Sequence, residues 1–187
     1  MMRQIAILCL LLLSACSMVP EKPLEDYQLG QMQHLQQKKQ WAFEGRLALV
    51  DEKDSVSVSI AWQHDEARDD IELVGPLAQG RVKISVTAGR VEVDDGETRN
   101  VYYGESERVV AEQLGVDMPV NALKFWVLGG NAPEQTFVEQ PGGFYQDGWL
   151  VRYREMQKVG EWLLPKKMTA EKDKARIKLI VDQWNFP

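Results

Sequence analysis

Few side chains in this 187-residue sequence are placed to do covalent chemistry. Acidic pairs stand at Asp69-Asp70 and Asp94-Asp95, and carboxyl groups are the residue type for general acid–base work. Neighbouring carboxyls, however, point to opposite sides of a strand or sit in turns, so both pairs read as solvated loop charges. Ser106 has no G-x-S-x-G setting, and no triad can be assigned to it. Gly129-Gly130 lacks the following Lys-Ser/Thr that a phosphate-cradling loop needs. The two histidines, His34 and His64, are too few for a His-rich metal site, and no paired-Cys motif replaces them. No catalytic residue, metal ligand or cofactor is expected.

Charge narrows the partners. Lys plus Arg total 22 against 28 Asp plus Glu, a formal net charge of -6. That balance gives no support to a nucleic-acid partner, which needs a basic stripe to neutralise phosphates. With 44% hydrophobic and 27% charged positions interspersed, the chain has the composition of one globular domain rather than a disordered or multispanning one.

The first residues read as an address. Arg3 supplies a positive start, and Ile5 to Leu13 form an apolar run too short to span a bilayer, which takes about 20 residues. Leu13-Ser14-Ala15-Cys16 follows and resembles the bacterial lipobox, in which the cysteine thiol receives a diacylglyceryl group and becomes the acylated first residue. On this reading residues 1–15 are a signal peptide, Cys16 is lipidated, and residues 16–23, with two prolines, form a short tether. Cys9 leaves with the signal peptide, so Cys16 stands alone in the mature chain and no internal disulfide forms. The alternative is an ordinary signal peptide with an incidental cysteine. Ser17 after the cysteine, by resemblance to lipoprotein sorting in enteric bacteria, favours the outer membrane.

The elements that follow must be positioned by one domain, residues 24–187. Leu24, Tyr27, Met32 and Leu35 fall on one face at helical spacing, predicting an amphipathic helix that ends near Lys39. From Trp41 the period changes to two: Ser55 to Trp62 alternates small or polar with large apolar residues for eight positions. Ile71 and Leu73, then Val82, Ile84 and Val86, then Val91 and Val93 continue it, divided by turn signals at 51–54, 64–70, 75–76, 88–89 and 94–96. Two helices interrupt: Glu107 to Leu114 behind a Ser106 cap, and Ala122 to Leu128 behind an Asn121 cap, ended by Gly129-Gly130. Strands resume near residues 136–139, 143–146, 149–153, 161–168 and 177–184, with tight turns at Gly142-Gly143 and Asp147-Gly148. About ten or eleven antiparallel strands in one sheet curl rather than stay flat.

In this order the sequence resembles the LolB family, outer-membrane lipoproteins that receive other lipoproteins from a periplasmic carrier and insert them. The resemblance rests on the lipobox, Phe43-Glu44-Gly45-Arg46-Leu47-Ala48, Ile60-Ala61-Trp62-Gln63, Gly75-Pro76-Leu77, Met118-Pro119-Val120-Asn121-Ala122-Leu123, Phe125-Trp126-Val127-Leu128-Gly129 and Asp182-Gln183-Trp184. It implies a mainly β fold with helices (α+β): an unclosed antiparallel β-barrel of about eleven strands, covered by a helical lid and lined by apolar residues that hold acyl chains. The implied acyl cavity takes Val58, Ile60, Trp62, Ile71, Leu73, Val82 and Ile84 from the strands, with Val56 and Val86 on the same face. Leu123, Trp126 and Val127 come from the second helix. Each of these residues also suits an ordinary core. The Pro76-Leu77 turn matches the family's protruding loop, whose leucine delivers cargo into the membrane. Implied partners are a LolA-like periplasmic carrier, the acyl chains of cargo lipoproteins and outer-membrane lipid. The protein is expected to be a monomer, lipid-anchored in the outer membrane and facing the periplasm. An envelope lipoprotein that binds another hydrophobic ligand in the same half-barrel is the alternative.

Overall fold

Alternation of apolar and polar side chains gives most of the strands one dry and one wet face, and eleven strands join edge to edge in a computed structural model. It describes residues 27–52, 55–76, 80–114, 118–133 and 135–186, the side chains of 113 and 114 excepted. The expectations for Cys16 and Leu77 lie outside these residues. The strands are β1 (Gln40–Val50), β2 (Ser55–Asp65), β3 (Arg68–Val74), β4 (Arg81–Thr87), β5 (Arg90–Asp94) and β6 (Arg99–Tyr103), then β7 (Phe137–Gln140), β8 (Gly143–Gln146), β9 (Trp149–Val159), β10 (Trp162–Lys172) and β11 (Ala175–Asn185). All pairings are antiparallel, in the order β6-β5-β4-β3-β2-β1-β11-β10-β9-β8-β7. The sheet is unclosed, with β6 and β7 as its edges. Its first and last strands meet in the middle.

That central seam carries a bulge. Glu44 faces Gln183 but Gly45 faces Val181, so Asp182 is an extra residue on β11. A Cβ on Gly45 would collide with the Ile180 carbonyl oxygen, which is why glycine stands there. Arg46 on the outward face then makes two hydrogen bonds to Asp182, of 3.1 and 2.8 Å.

Among the described residues three helical pieces complete the fold. Helix α1 (Leu29–Met32) runs on as a 3-10 turn over Gln33–Gln37, and α2 (Ser106–Leu114) and α3 (Val120–Trp126) lie in the connection between the two edge strands. Tyr27 lies before the helix and is buried, so the amphipathic helix is shorter than its apolar spacing suggests, and Leu24 lies outside the described residues. Helix α3 starts after Pro119, not Asn121, because proline's fixed φ suits the end of a helix and Asn121 is already within it. Gly129, at φ 92°, ends the last turn as expected, and the Gly130 N–H returns to the Phe125 carbonyl.

Two further boundaries differ from the sequence reading. Residues 64–70 are not a loop: β2 and β3 extend through them and turn only at Glu66-Ala67, with Glu66 at φ 53°. Strand β6 was not expected, since Arg99-Asn100-Val101-Tyr102-Tyr103 is exposed along almost its whole length and shows no alternation. The inward residues of the sheet and those of α2 and α3 share a single hydrophobic core, which takes Val109, Val110, Val120, Leu123 and Trp126 from the helical connection.

Candidate functional site

Register decides which predicted residues meet. Ile60 pairs with Leu73, which pairs with Val82; Trp62 pairs with Ile71, which pairs with Ile84. These six form two cross-strand rows on the inward face, and Val58 joins them opposite Leu47. All but Val58 and Val82 are fully buried, and those two are half-buried against the same core. Val56 shares the face by register, opposite Leu49, but is 40% exposed at the end of its strand. Here the sequence expectation of an inward contact is corrected: alternation fixes a side, and depth falls away where the strand outruns the core.

Leu123, Trp126 and Val127 are buried in the shared core, yet Trp126 does not lie in the β2–β4 rows. Its indole packs on Phe144 and Trp149, at ring-centroid distances of 6.4 and 6.0 Å, on the other half of the sheet. A polar residue that sequence reasoning missed fixes it there. Gln146, 1% exposed, accepts hydrogen bonds from Trp126 Nε1 (3.0 Å) and from the Ala132 N–H (2.8 Å). Its amide nitrogen donates to the Ala132 carbonyl (2.9 Å). Tyr153 Oη donates to the Trp126 carbonyl (2.8 Å), and Tyr27 Oη donates to the Gly129 carbonyl (2.7 Å). Burial pushes both phenols far above their ordinary range, so both keep the proton they donate. Gln36 Nε2 adds a bond to the Asn131 carbonyl (2.6 Å).

The acidic pairs separate by side. Asp70 faces outward and is bonded by Arg68 (2.7 Å) and by Ser85. The Arg68 hydrogen bond holds its carboxyl below the usual range, against the opposing pull of partial burial. Asp69 is no solvated charge: it is 4% exposed on the inward face, opposite Val86. Trp62 Nε1 donates to its Oδ1 (2.9 Å), and His64 Nδ1 stands 2.8 Å from the same oxygen. Asp94 and Asp95 close the β5–β6 turn as read, accepting from the Gly96, Glu97 and Thr98 N–H groups. Among the described residues no group of His, Cys, Asp and Glu could hold a metal ion.

Two kinds of concavity result. The outward face of β1–β6 carries a groove of about 640 Å³ with charged walls that include Arg68, Asp70, Glu72, Lys83 and Arg99. Such walls exclude hydrocarbon, because charge left dry is costly. On the other face, depressions flank Lys124 where the helices meet the sheet. One of about 610 Å³ is bordered by Asp69, Thr87 and Glu107, and one of about 190 Å³ by Trp41, His64, Phe125 and Leu128. Burial pushes the Glu107 carboxyl up. The loop after β3 is pinched at its base by a hydrogen bond from the Gly75 N–H to the Gly80 carbonyl (3.0 Å), with Pro76 exposed beyond it.

The sequence profile of the LolB family, described as outer membrane lipoprotein LolB, matches residues 39–184, which run from β1 nearly to the end of β11. Proteins named outer-membrane lipoprotein LolB match over most of the chain. That of Marinomonas sp. (strain MWYL1) is 29% identical over 190 residues, covering 96% of this chain and 97% of its own. That of Chromohalobacter salexigens is 28% identical over 186 residues, covering 94% and 86%. That of Xylella fastidiosa (strain 9a5c) is 32% identical over 158 residues, covering 81% and 73%. Among the described residues no helix is long and apolar enough to cross a membrane. With a family profile that covers nearly all of the seam and both half-sheets, this chain belongs to the LolB family of outer-membrane lipoproteins.

Proposed function

We propose that this protein accepts lipoproteins from a LolA-like periplasmic carrier, holds their acyl chains between the inward face of the sheet and a lid formed by α2 and α3, and releases them into the outer membrane. The observation that carries the reading is the contiguous apolar patch of Ile60, Leu73 and Val82 beside Trp62, Ile71 and Ile84, which shares one core with side chains of α2 and α3. A hydrocarbon tail needs such a surface: each methylene kept from water is worth about 0.8 kcal/mol, so a palmitoyl chain gains on the order of 12 kcal/mol. Handover then requires no nucleotide. A difference of about 1.4 kcal/mol between carrier and acceptor biases transfer tenfold, and the bilayer is the final sink.

Acylated Cys16 anchors the protein, since two or more chains hold a polypeptide firmly where one does so only reversibly. Leu77 has a different task. One leucine taken from water gains roughly 1.5–3 kcal/mol, too little to anchor anything but enough to dip a pinched loop into the bilayer surface. Transfer of an acylated protein from its carrier to liposomes tests both assignments. Leu77→Glu is expected to fold and accept cargo yet fail to insert it, and equal delivery by variant and wild type would overturn the role of the loop. Failure of the wild type to take any acylated protein from a carrier would overturn the whole reading and leave a passive binder of some other hydrophobic ligand.

A further inference from the structure

Polar groups that the fold does not use up stand where the apolar rows end. Asp69 is the inward residue next to Ile71 on β3, so it lies about 7 Å from the row of Trp62, Ile71 and Ile84. Trp62 Nε1 and His64 Nδ1 both engage its Oδ1, at 2.9 and 2.8 Å. Its Oδ2 has no hydrogen-bond partner among the described residues, yet it is not sealed in. Ser106, at the start of α2, is 8% exposed, and its hydroxyl has no partner among the described residues either. Lys124 on α3 makes no ion pair among the described residues; its Nζ stands over the neighbouring Phe125 ring, 5.3 Å from the centroid. All three residues border the depression of about 610 Å³.

We propose that this depression is a subsite for the polar head of an acylated peptide: the uncharged amide and ester groups around its acylated cysteine and the first peptide bonds beyond. The proposal rests on the acyl-binding reading and adds where the head goes. A tail lying along Ile60, Leu73 and Val82 and then along Trp62, Ile71 and Ile84 ends one row from Asp69. The groups there do not suit hydrocarbon, which would leave them dry and unpaired. They do suit such a head. Asp69 Oδ2 accepts from an amide N–H, the Lys124 ammonium donates to an ester or amide carbonyl, and the Ser106 hydroxyl does either. Charge argues against a phospholipid phosphate. Glu105 and Glu107 also border the depression, so three carboxyls there face the single ammonium of Lys124. A cysteine whose amine is tied up in an amide brings no charge of its own.

Binding of a fluorescent tripalmitoyl-cysteinyl-seryl peptide to the full-length protein tests the assignment. Diphenylhexatriene, a hydrocarbon probe without a head, and dipalmitoyl phosphatidylglycerol are measured beside it. Lys124→Met should weaken the lipopeptide about tenfold and Ser106→Ala about fivefold, the losses expected for one charge-assisted and one neutral hydrogen bond. Neither should change the affinity for diphenylhexatriene, and Lys124→Arg, which keeps a cationic donor, should recover most of the lipopeptide binding. Lipopeptide affinity indifferent to both Lys124→Met and Ser106→Ala would overturn the proposal. An equal loss of diphenylhexatriene binding would overturn it as well, because damage to the apolar surface would then account for both. Phosphatidylglycerol bound more tightly than the lipopeptide, and weakened alike by Lys124→Met, would give the depression to membrane lipid instead. A wild type that binds neither the lipopeptide nor diphenylhexatriene would bring down the acyl-binding reading first and the head subsite with it.

Discussion

Replacing Asp69 by leucine removes the one oxygen that Trp62 Nε1 and His64 Nδ1 both approach, at 2.9 and 2.8 Å. Each buried donor left without a partner costs about 1–3 kcal/mol, so the pair costs about 2–6. The added apolar side chain offsets roughly 1.5 kcal/mol of that. Asp69→Asn keeps a carbonyl oxygen in reach of the indole and is expected to cost only about 1 kcal/mol. In a chain of this length 1 kcal/mol moves the midpoint of thermal unfolding by about 2–4 °C. The leucine variant should therefore melt clearly below the asparagine variant when both are followed by far-ultraviolet circular dichroism. In a His64→Phe background one of the two donors is gone, and the cost of Asp69→Leu should shrink by about 1 kcal/mol or more. A leucine variant as stable as the asparagine variant, or the same cost in both backgrounds, would refute the claim that Asp69 is held inward as a shared acceptor.

Gly45→Ala brings a methyl group against the Ile180 carbonyl at the bulge. The backbone of the seam must shift, and a loss of about 1–3 kcal/mol is expected in urea unfolding; an unchanged midpoint would show that the seam yields freely. Asp70 supplies the pH dependence. The Arg68 hydrogen bond lowers its folded pKa, so its contribution is complete above the ordinary carboxyl value of about 3.9 and is lost as pH falls through the lower folded value. Asp70→Asn should flatten the decline in stability below pH of about 4, and an identical acid limb in variant and wild type would argue against it.

Alternation carried most of the sheet, because β2, β3, β4 and β5 each bury one side and wet the other. The same rule was silent on β6, an edge strand with almost nothing to bury. It misread Asp69 as well, since a carboxyl among turn-forming residues looks like loop, and only its position opposite Val86 explains its burial. The apolar rows of the candidate site were legible for the same reason as the strands. Gln146 was not: a glutamine in a short strand gives no signal until the chain from Trp126 to Ala132 is folded back on it. The cap of α3 slipped by two residues because Pro119 and Asn121 are both good starts, and the observed helix begins from the first.

The pairing of β1 with β11 makes this a slow protein to finish. Arg46 and Asp182, bonded across the seam, are 136 positions apart in the chain, and contacts so distant in sequence form late. Until Ala175–Asn185 is available, β1–β6 and β7–β10 are two separate meanders, each with a raw inner edge. A fold that locks only when its last strand arrives leaves both half-sheets with unpaired backbone along one side until then.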